Sequence, residues 1–309
     1  MAGAGISRGI EPRRLSVPVD NRWGIGEMAV LDFGDPDRPV DLIFAHANGF
    51  NALTYREMLT PLAQRFRIWA PDLRGHGQTR LPTITTGRRG WSDHRDDLIA
   101  LLDAVQGPPV VLAGHSIGGT SGLLAAAERP QRISRLQLLD PVVWSPAMTL
   151  GFHLPLLKRT AAKAPIVKGA LRRRAQFETR DAAMQSYRGR GAFRGWPDAV
   201  LADYLADGLI EAADGYTLAC APQWEASNYA SQGHDPWRAL RRFQGPVHIL
   251  KSETGSLCRV PEEPRGLPHV TVQTARGSNH LFPMSRPVVA REALSAAIDA
   301  ALAPASAAR

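Results

Sequence analysis

Cysteine is scarce in this chain of 309 residues, and long apolar runs are missing. The two cysteines, Cys220 and Cys258, lie far apart and in no spacing typical of metal ligands, so the sequence predicts neither a disulfide framework nor a metal site. No apolar stretch approaches the roughly 18 residues that a membrane-spanning helix needs, and the first residues lack the apolar core of a signal peptide. We therefore expect a soluble, cytoplasmic protein without a membrane span.

Acidic residues are fewer than basic ones, 29 against 37, which gives a formal net charge of +8. Much of the excess is arginine between about residues 158 and 194. A basic chain raises the question of a nucleic-acid partner, but no nucleic-acid motif accompanies the charge and the aromatic residues are not interleaved with it. We interpret the arginines as a solvated positive surface, with attraction of an anionic small-molecule substrate as the alternative. The composition leaves the oligomeric state open.

Strand and helix patterns alternate over the first 141 residues. Short apolar runs, typical of strands buried in a parallel sheet, are followed by stretches with helical periodicity. The strands are expected at 15–19, 25–33, 40–45, 66–70, 110–113 and 133–139, and the helices at 55–64, 94–105 and 117–128.

The alternation stops at residue 142 and resumes near residue 247. Residues 142–235 show apolar patches, many aromatic residues and helical periodicity, but no strand pattern of comparable strength. Strands are expected again at 247–251 and 270–273, and a helix closes the pattern at 287–302. We interpret residues 1–141 and 236–309 as an α/β core with a mostly parallel sheet flanked by helices. Residues 142–235 are then a mostly helical cap inserted over the carboxyl ends of the strands.

Residues 114–118 read Gly-His-Ser-Ile-Gly and lie between an expected strand and an expected helix. Glycines on both sides of a serine allow a sharp strand-to-helix turn that leaves the serine oxygen projecting above the sheet. A serine hydroxyl is a weak nucleophile until a neighbouring base removes its proton, and histidine is the best base near neutral pH. The pattern therefore predicts Ser116 as a nucleophile that needs a histidine from elsewhere in the chain.

His280 is the candidate base. It lies in a loop just past the last expected strand, after the insertion, as expected if the chain order is serine, acid, histidine. The other histidines fall within or just before strands, at the start of a helix, in the serine turn, in loops with other duties, or in and at the end of residues 142–235.

Four motifs in this order resemble the α/β-hydrolase superfamily, in its serine hydrolase branch with a cap domain. They are the His-Ala-Asn-Gly loop at 46–49, the turn Pro-Asp-Leu-Arg-Gly-His-Gly at 71–77, the serine turn at 114–118 and the His280 loop. The resemblance covers nearly the whole chain outside residues 142–235. It implies a Ser-His-acid triad and a second oxyanion donor at the backbone amide of Asn48, with the Asn48 side chain able to face the site. The first donor is the amide of Ile117, at the start of the helix after the serine.

The acid departs from the superfamily pattern. Most members that this chain resembles carry it in the loop after the strand expected here at 247–251, in a pattern like Gly-Glu-x-Asp, and that position holds Gly255. We favour Asp140, which ends the strand after the serine helix, and keep Glu253 as the alternative.

These residues predict a serine hydrolase that cleaves a carboxylic ester or a lactone through an acyl-enzyme, without a metal or organic cofactor. Ser116 attacks, His280 transfers the proton, Asp140 orients His280, and the Ile117 and Asn48 amides bind the oxyanion. Hydrolysis of amides or carbon–carbon bonds by the same triad, and cofactor-free haloperoxidase-like chemistry, are alternatives. A ligand-binding protein with weak turnover is a rival of another class. The partner in every case is a small molecule.

Overall fold

A computed structural model describes residues 11–154 and 160–303. The expected core was bounded by residues 1 and 309, and both of these lie outside the described residues. Two sheets contain all strands of the described part. The strands are β1 (Arg13–Asn21), β2 (Gly24–Phe33), β3 (Leu42–Ala45), β4 (Ile68–Pro71), β5 (Val110–His115), β6 (Ile133–Leu139), β7 (Gln176–Phe177), β8 (Leu209–Ala212), β9 (Gly215–Leu218), β10 (Val247–Thr254) and β11 (Val270–Asn279).

Helices cover both faces of the larger sheet and make up much of residues 142–235, the expected cap, which are called the insertion below. They are α1 (Arg56–Leu59), α2 (Ser92–Ala104), α3 (Ile117–Glu128), α4 (Pro146–Gly151), α5 (Pro165–Leu171), α6 (Arg180–Tyr187), α7 (Asp198–Gly208), α8 (Pro222–Ala230), α9 (Pro236–Arg242), α10 (Phe282–Ser285) and α11 (Pro287–Leu302).

The larger sheet has eight strands in the order β1-β2-β4-β3-β5-β6-β10-β11. The β1–β2 and β2–β4 pairs are antiparallel and the other pairs are parallel. The prediction of a mostly parallel sheet flanked by helices is therefore confirmed. One apolar cluster on this sheet includes residues of α11 and α1, and another includes residues of α2, α3 and α9.

The strand order reverses direction between β3 and β5. The chain passes from β3 to β4 on one side and then returns to β5 on the other side. The crevice at such a switch point, outside the carboxyl ends of the strands, is where open α/β sheets bind ligands. The loop that begins at His46 follows β3 here, and Ser116 follows β5 directly.

The helix expected at 55–64 is only partly present. The structure has two 3₁₀ turns, Ala52–Tyr55 and Thr60–Gln64, on either side of the short helix α1. Pro61 has no backbone N–H to continue the α-helical hydrogen bonds, and its ring opposes a continuous helix. The stretch is helical, as predicted, but it is not one regular α-helix.

The insertion contains a small antiparallel sheet that the sequence pattern did not reveal. Its strands lie in the order β7-β9-β8 and are two to four residues long. Strands this short do not complete the period-two alternation by which a strand is recognised. Helix α7 ends at Gly208, and Leu209 begins β8.

Candidate functional site

Ser116 lies at a sharp turn between β5 and α3. Its backbone has φ 55° and ψ −119°, and its side chain is buried. A Cβ atom at Gly118 would lie 2.3 Å from the carbonyl oxygen of Ala45, and one at Gly114 would lie 2.5 Å from the carbonyl carbon of Gly118. Only glycine fits such close approaches of backbone to backbone. The glycines of the 114–118 motif therefore make room for the strained serine.

The carboxyl ends of five parallel strands gather the predicted residues at one edge of the sheet. Asp140 follows β6 directly and His280 follows β11 directly, while Glu253 is the next-to-last residue of β10. Because parallel strands point the same way, the residues after them meet above the switch point.

His280 bridges Ser116 and Asp140. Its Nε2 atom lies 3.1 Å from the Ser116 hydroxyl oxygen, and its Nδ1 atom lies 2.5 Å from Oδ2 of Asp140. The carboxylate accepts the Nδ1 proton, so Nε2 is free to accept the proton of the serine hydroxyl. A hydroxyl, an imidazole and a carboxylate in this series can activate a serine as a nucleophile.

Asp140 is fully buried and also carries a positive φ, 41°. Its oxygens accept hydrogen bonds from the Ser256 hydroxyl (2.5 Å) and from the backbone amide of Ser252 (3.1 Å). Burial alone would raise the pKa of this carboxyl, but the hydrogen bond and charge of His280, with these donors, hold the pKa below its ordinary value. Asp140 is therefore held as a carboxylate.

Glu253 does not reach His280. Its Oε2 accepts the backbone amide of Gly277 at 2.9 Å, and its side chain is exposed. Gly255, at the position that the superfamily pattern assigns to the acid, has φ 66°, and a Cβ atom there would meet nothing within 4 Å. The structure thus brings Asp140, and not Glu253, to the imidazole.

The loop after β3, residues 46–50, is fixed through the amides on either side of Asn48. The Ala47 amide donates to the hydroxyl of Tyr55 (3.1 Å), and the Gly49 amide donates to Nε2 of His76 (3.0 Å). Among the described residues, no acceptor bonds the amide of Asn48. The amide of Ile117 is at the first position of α3, where an N–H has no partner within the helix. Both expected oxyanion donors are therefore free.

The side chain of Asn48 is engaged with the insertion. Its Nδ2 donates to the backbone carbonyl of Glu225 (3.0 Å), and its Oδ1 accepts from Nδ2 of Asn228 (2.8 Å). Both of its polar atoms thus have partners on α8. Sequence reasoning missed Asn228, and no local pattern marks it, because 180 residues separate it from Asn48.

A second buried connection joins the loop after β3 to the loop that contains His280. The Tyr55 hydroxyl lies 2.7 Å from Nδ1 of His115, and Nε2 of His115 lies 2.8 Å from the carbonyl oxygen of His280. A carbonyl only accepts, so His115 donates from Nε2 and accepts the Tyr55 proton at Nδ1. Tyr55 and His115 are further residues that the sequence did not single out for this role.

Several histidines around the site are buried and neutral. Burial lowers the pKa of His46 and of His115 to about 3, and the pKa of His76 and His94 also falls, with burial the largest cause in each. His46 accepts the Leu73 amide at 2.8 Å. The rings of His46, His76 and His115 form hydrogen bonds with backbone groups, and the ring of His94 forms one with the side chain of Asn228.

A cavity of about 740 Å³ opens above Ser116. Its walls are mainly apolar and come from both the core and the insertion. Arg173 lies in the wall, where it donates to the Glu225 carboxylate (2.9 Å) and to the hydroxyl of Tyr204. Its charge is therefore matched by Glu225. Exposed Arg190 also lines the cavity.

Residues 11–154 and 160–303 contain no cluster of three or more His, Cys, Asp or Glu side chains placed to hold a metal ion. No helix within these ranges combines the length and the apolar character that crossing a membrane requires.

Burial raises the pKa of the Cys220 thiol, and it raises that of Cys258 to about 12.

Comparison with known proteins agrees with this architecture. A sequence model described as the alpha/beta hydrolase family matches residues 42–293. The chain is 30% identical over 158 residues to the magnesium-chelatase 30 kDa subunit of Rhodobacter capsulatus, a match that covers 51% of each protein. It is 32% identical over 104 residues to 3-oxoadipate enol-lactonase 2 of Acinetobacter baylyi, which covers 34% of this chain and 38% of the relative.

The chain thus spans about half or less of the length of these curated relatives. Among solved structures, that of E-2-(acetamidomethylene)succinate hydrolase superposes with a TM-score of 0.71 at 22% identity. That superposition covers 93% of this chain and 100% of the other. At this identity the likeness shows the fold alone.

Proposed function

Since the chain belongs to the alpha/beta hydrolase family, we propose that it is a serine hydrolase that cleaves a carboxylic ester or a lactone through an acyl-enzyme. The observation that carries the proposal is the unbroken contact from the Ser116 hydroxyl to His280 and on to Asp140, at 3.1 and 2.5 Å. Ser116 is the nucleophile, His280 the general base and acid, and Asp140 the carboxylate that orients His280 and stabilises its charged form.

The reaction has two halves. Ser116 Oγ forms a bond to the carbonyl carbon while its proton passes to Nε2 of His280. The tetrahedral intermediate then breaks its bond to the leaving oxygen, which takes that proton from His280. Water repeats the sequence on the acyl-enzyme: its oxygen bonds to the carbonyl carbon while His280 takes its proton. The bond from that carbon to Ser116 Oγ then breaks, and Oγ takes the proton from His280. In a lactone, the leaving oxygen stays attached to the acyl group.

The backbone amides of Ile117 and Asn48 stabilise the oxyanion of each tetrahedral intermediate. Two observations support this role. Neither amide has an acceptor among the described residues, and the amides that flank Asn48 are bonded elsewhere. Donors fixed before the reaction stabilise developing charge without reorganisation, and one such donor is worth about 10²–10³ in rate.

The substrate is a small molecule whose acyl part is bulky and apolar. Support comes from a cavity that is mainly apolar and within the usual size range for small ligands, with Ser116 and His280 in its wall. In this proposal residues 142–235 form a cap that shapes the acyl site over a core of residues 1–141 and 236–309. We place the protein in the cytoplasm.

A substrate panel with a Ser116→Ala variant tests the proposal. The panel contains neutral and anionic esters of varied acyl length, lactones, an amide and a carbon–carbon substrate. We expect ester or lactone turnover that Ser116→Ala abolishes, and stoichiometric labelling of Ser116 by a phosphonate. Preferential cleavage of the amide or the carbon–carbon bond would assign the site to those reactions instead. Folded protein in which Ser116 is not labelled would favour a ligand-binding role.

A further inference from the structure

Asn228 is a buried hub between the insertion and the core. It lies on α8 with no exposed surface. Its Oδ1 accepts hydrogen bonds from Arg88 (2.6 Å) and from Nε2 of His94 (3.1 Å), and its backbone carbonyl accepts one from the indole of Trp91 (3.0 Å). All three donors belong to the core segment at the start of α2. Asn228 is therefore held rigidly by the core, although it belongs to the insertion.

The remaining polar group of the Asn228 side chain, its NH₂, donates to Oδ1 of Asn48 at 2.8 Å. Asn48 returns the contact to the same helix through its own NH₂, which donates to the carbonyl of Glu225 at 3.0 Å. Two hydrogen bonds at the two ends of one amide fix the plane and the rotation of that side chain.

The same helix also packs on the backbone after Asn48. A Cβ atom at Gly49 would lie 2.8 Å from a carboxylate oxygen of Glu225, and the φ of 79° at this residue favours glycine. The indole of Trp224 donates to the carbonyl of Arg74 at 2.7 Å, which anchors the start of α8 on the core. The loop after β3 is thus clamped between the core and α8.

We propose that Asn228 is a positioning residue for the oxyanion hole. Held by the core, it fixes the side chain of Asn48 and thereby the direction of the Asn48 backbone N–H. This inference rests on the proposed function, because it concerns the second oxyanion donor. In this proposal helix α8 is a fixed part of the site, and it positions an oxyanion donor that the core supplies.

A double-mutant cycle on Asn48 and Asn228 tests the inference. We expect Asn228→Ala to lower kcat by about 10-fold or more, as for a weakened oxyanion donor, with KM nearly unchanged. Its affinity for a boronic acid that mimics the tetrahedral intermediate should fall in parallel with kcat/KM. Asn48→Ala should do the same, and the double variant should lose no more than Asn48→Ala alone, because Asn228 acts through Asn48.

Asn228→Asp separates positioning from simple support of the fold. The carboxylate keeps the contacts to Arg88 and His94 but has no N–H to give to Asn48, and its second oxygen faces Oδ1 of Asn48, so kcat should fall at least as far as in Asn228→Ala. A thermal unfolding curve sets a temperature at which the variant and the parent are both folded, and the rates are compared there. Asn21→Ala is the matched control, since Asn21 makes a comparable bond to Asp97 (2.8 Å) outside the cavity.

Parental kcat and boronic acid affinity in Asn228→Asp, or additive losses in the cycle, would overturn the role of Asn228. Absence of Ser116-dependent turnover in the parent would instead overturn the proposed function. The two failures are therefore distinguishable.

Discussion

Two loops flank the imidazole of His280, and they contribute different chemistry. The loop after β6 supplies the buried carboxylate of Asp140, which contacts His280. Residues 252–256, the end of β10 and the start of the loop after it, are called the β10 loop below. They supply hydroxyl donors to that carboxylate, from Ser252 (3.1 Å) and Ser256 (2.5 Å). The acid of the β10 loop, Glu253, is turned toward Gly277.

In the proposed mechanism, the site requires a carboxylate at Nδ1 of the imidazole, whichever strand delivers it. β6 lies between β5, which ends at the serine turn, and β10. A carboxylate at the end of either β6 or β10 is therefore near the histidine loop. In this chain one loop carries the charge and the other carries the donors that keep it ionised.

The largest test of this comparison is Asp140→Asn. We expect kcat to fall by about 10⁴, because the amide neither stabilises the charged imidazole nor fixes its tautomer. Steady-state ester or lactone hydrolysis measures the loss, and a thermal unfolding curve controls for folding. A loss of less than tenfold would remove Asp140 from the role that we give it.

A second variant moves the carboxylate to the other loop. In Asp140→Asn combined with Gly255→Asp, we expect kcat to recover by about 10-fold or more over Asp140→Asn, since a positioned base or acid is worth about 10²–10⁴. Aspartate tolerates positive φ better than most residues, and the space beside Gly255 is open. The combination with Gly255→Asn is the matched control. Equal activity of the two combinations would show that the β10 loop cannot deliver an acid.

Ser256→Ala tests the donor role of the β10 loop. A hydrogen bond to a charged group contributes about 1.5–3 kcal/mol, so we expect kcat to fall by roughly 10-fold. The pKa of Asp140 should rise toward its ordinary value, because the Ser256 hydroxyl helps to lower it. Steady-state kinetics measure the fall in kcat, and Ser256→Thr, which keeps the hydroxyl, should restore most of the parental rate.

The smallest effect is expected for Glu253→Gln. The side chain is exposed, and the carbonyl oxygen of the glutamine side chain can still accept the hydrogen bond from the Gly277 backbone N–H. We therefore expect kcat to change by less than about twofold. The same kinetic assay checks this result. A loss comparable to that of Asp140→Asn would reverse the assignment of the acid.

The sequence predicted the parts of the site that depend on neighbouring residues. The glycines around Ser116 and the strand before it define a turn, and His280 lies just past the last strand, after the insertion. Asp140 was favoured over Glu253 by strand adjacency, and the structure places it at His280. Its role in catalysis remains a proposal.

The contacts that join distant segments could not be predicted. Tyr55 and His115 are 60 residues apart, and Asn48 and Asn228 are 180 apart. Hydrogen bonds between such residues leave no periodicity in the chain. The sequence left open that the Asn48 side chain faces the site. In the structure this side chain is hydrogen-bonded to α8 instead. The sheet of the insertion was missed because its strands are too short to alternate.

The buried histidines have a consequence for the whole molecule. In the unfolded chain they bind protons below about pH 6.5, whereas burial lowers the native pKa of five of them, His46, His76, His94, His115 and His234. The unfolded state therefore binds more protons as the pH falls from about 6.5 toward 3. Each such histidine then lowers the free energy of unfolding by up to about 1.4 kcal/mol per pH unit.

Two buried carboxyls act in the opposite direction, since burial raises the pKa of Asp72 to about 7 and that of Asp203 to about 6. The five histidines outnumber the two carboxyls, so the net effect of a lower pH is a smaller free energy of unfolding. That free energy is only about 5–15 kcal/mol for a typical domain. We expect urea denaturation to show lower stability at pH 5 than at pH 7, equally in the parent and in Ser116→Ala. On this expectation, the lower pH limit of the folded state is set by protonation of these interior histidines in the unfolded chain.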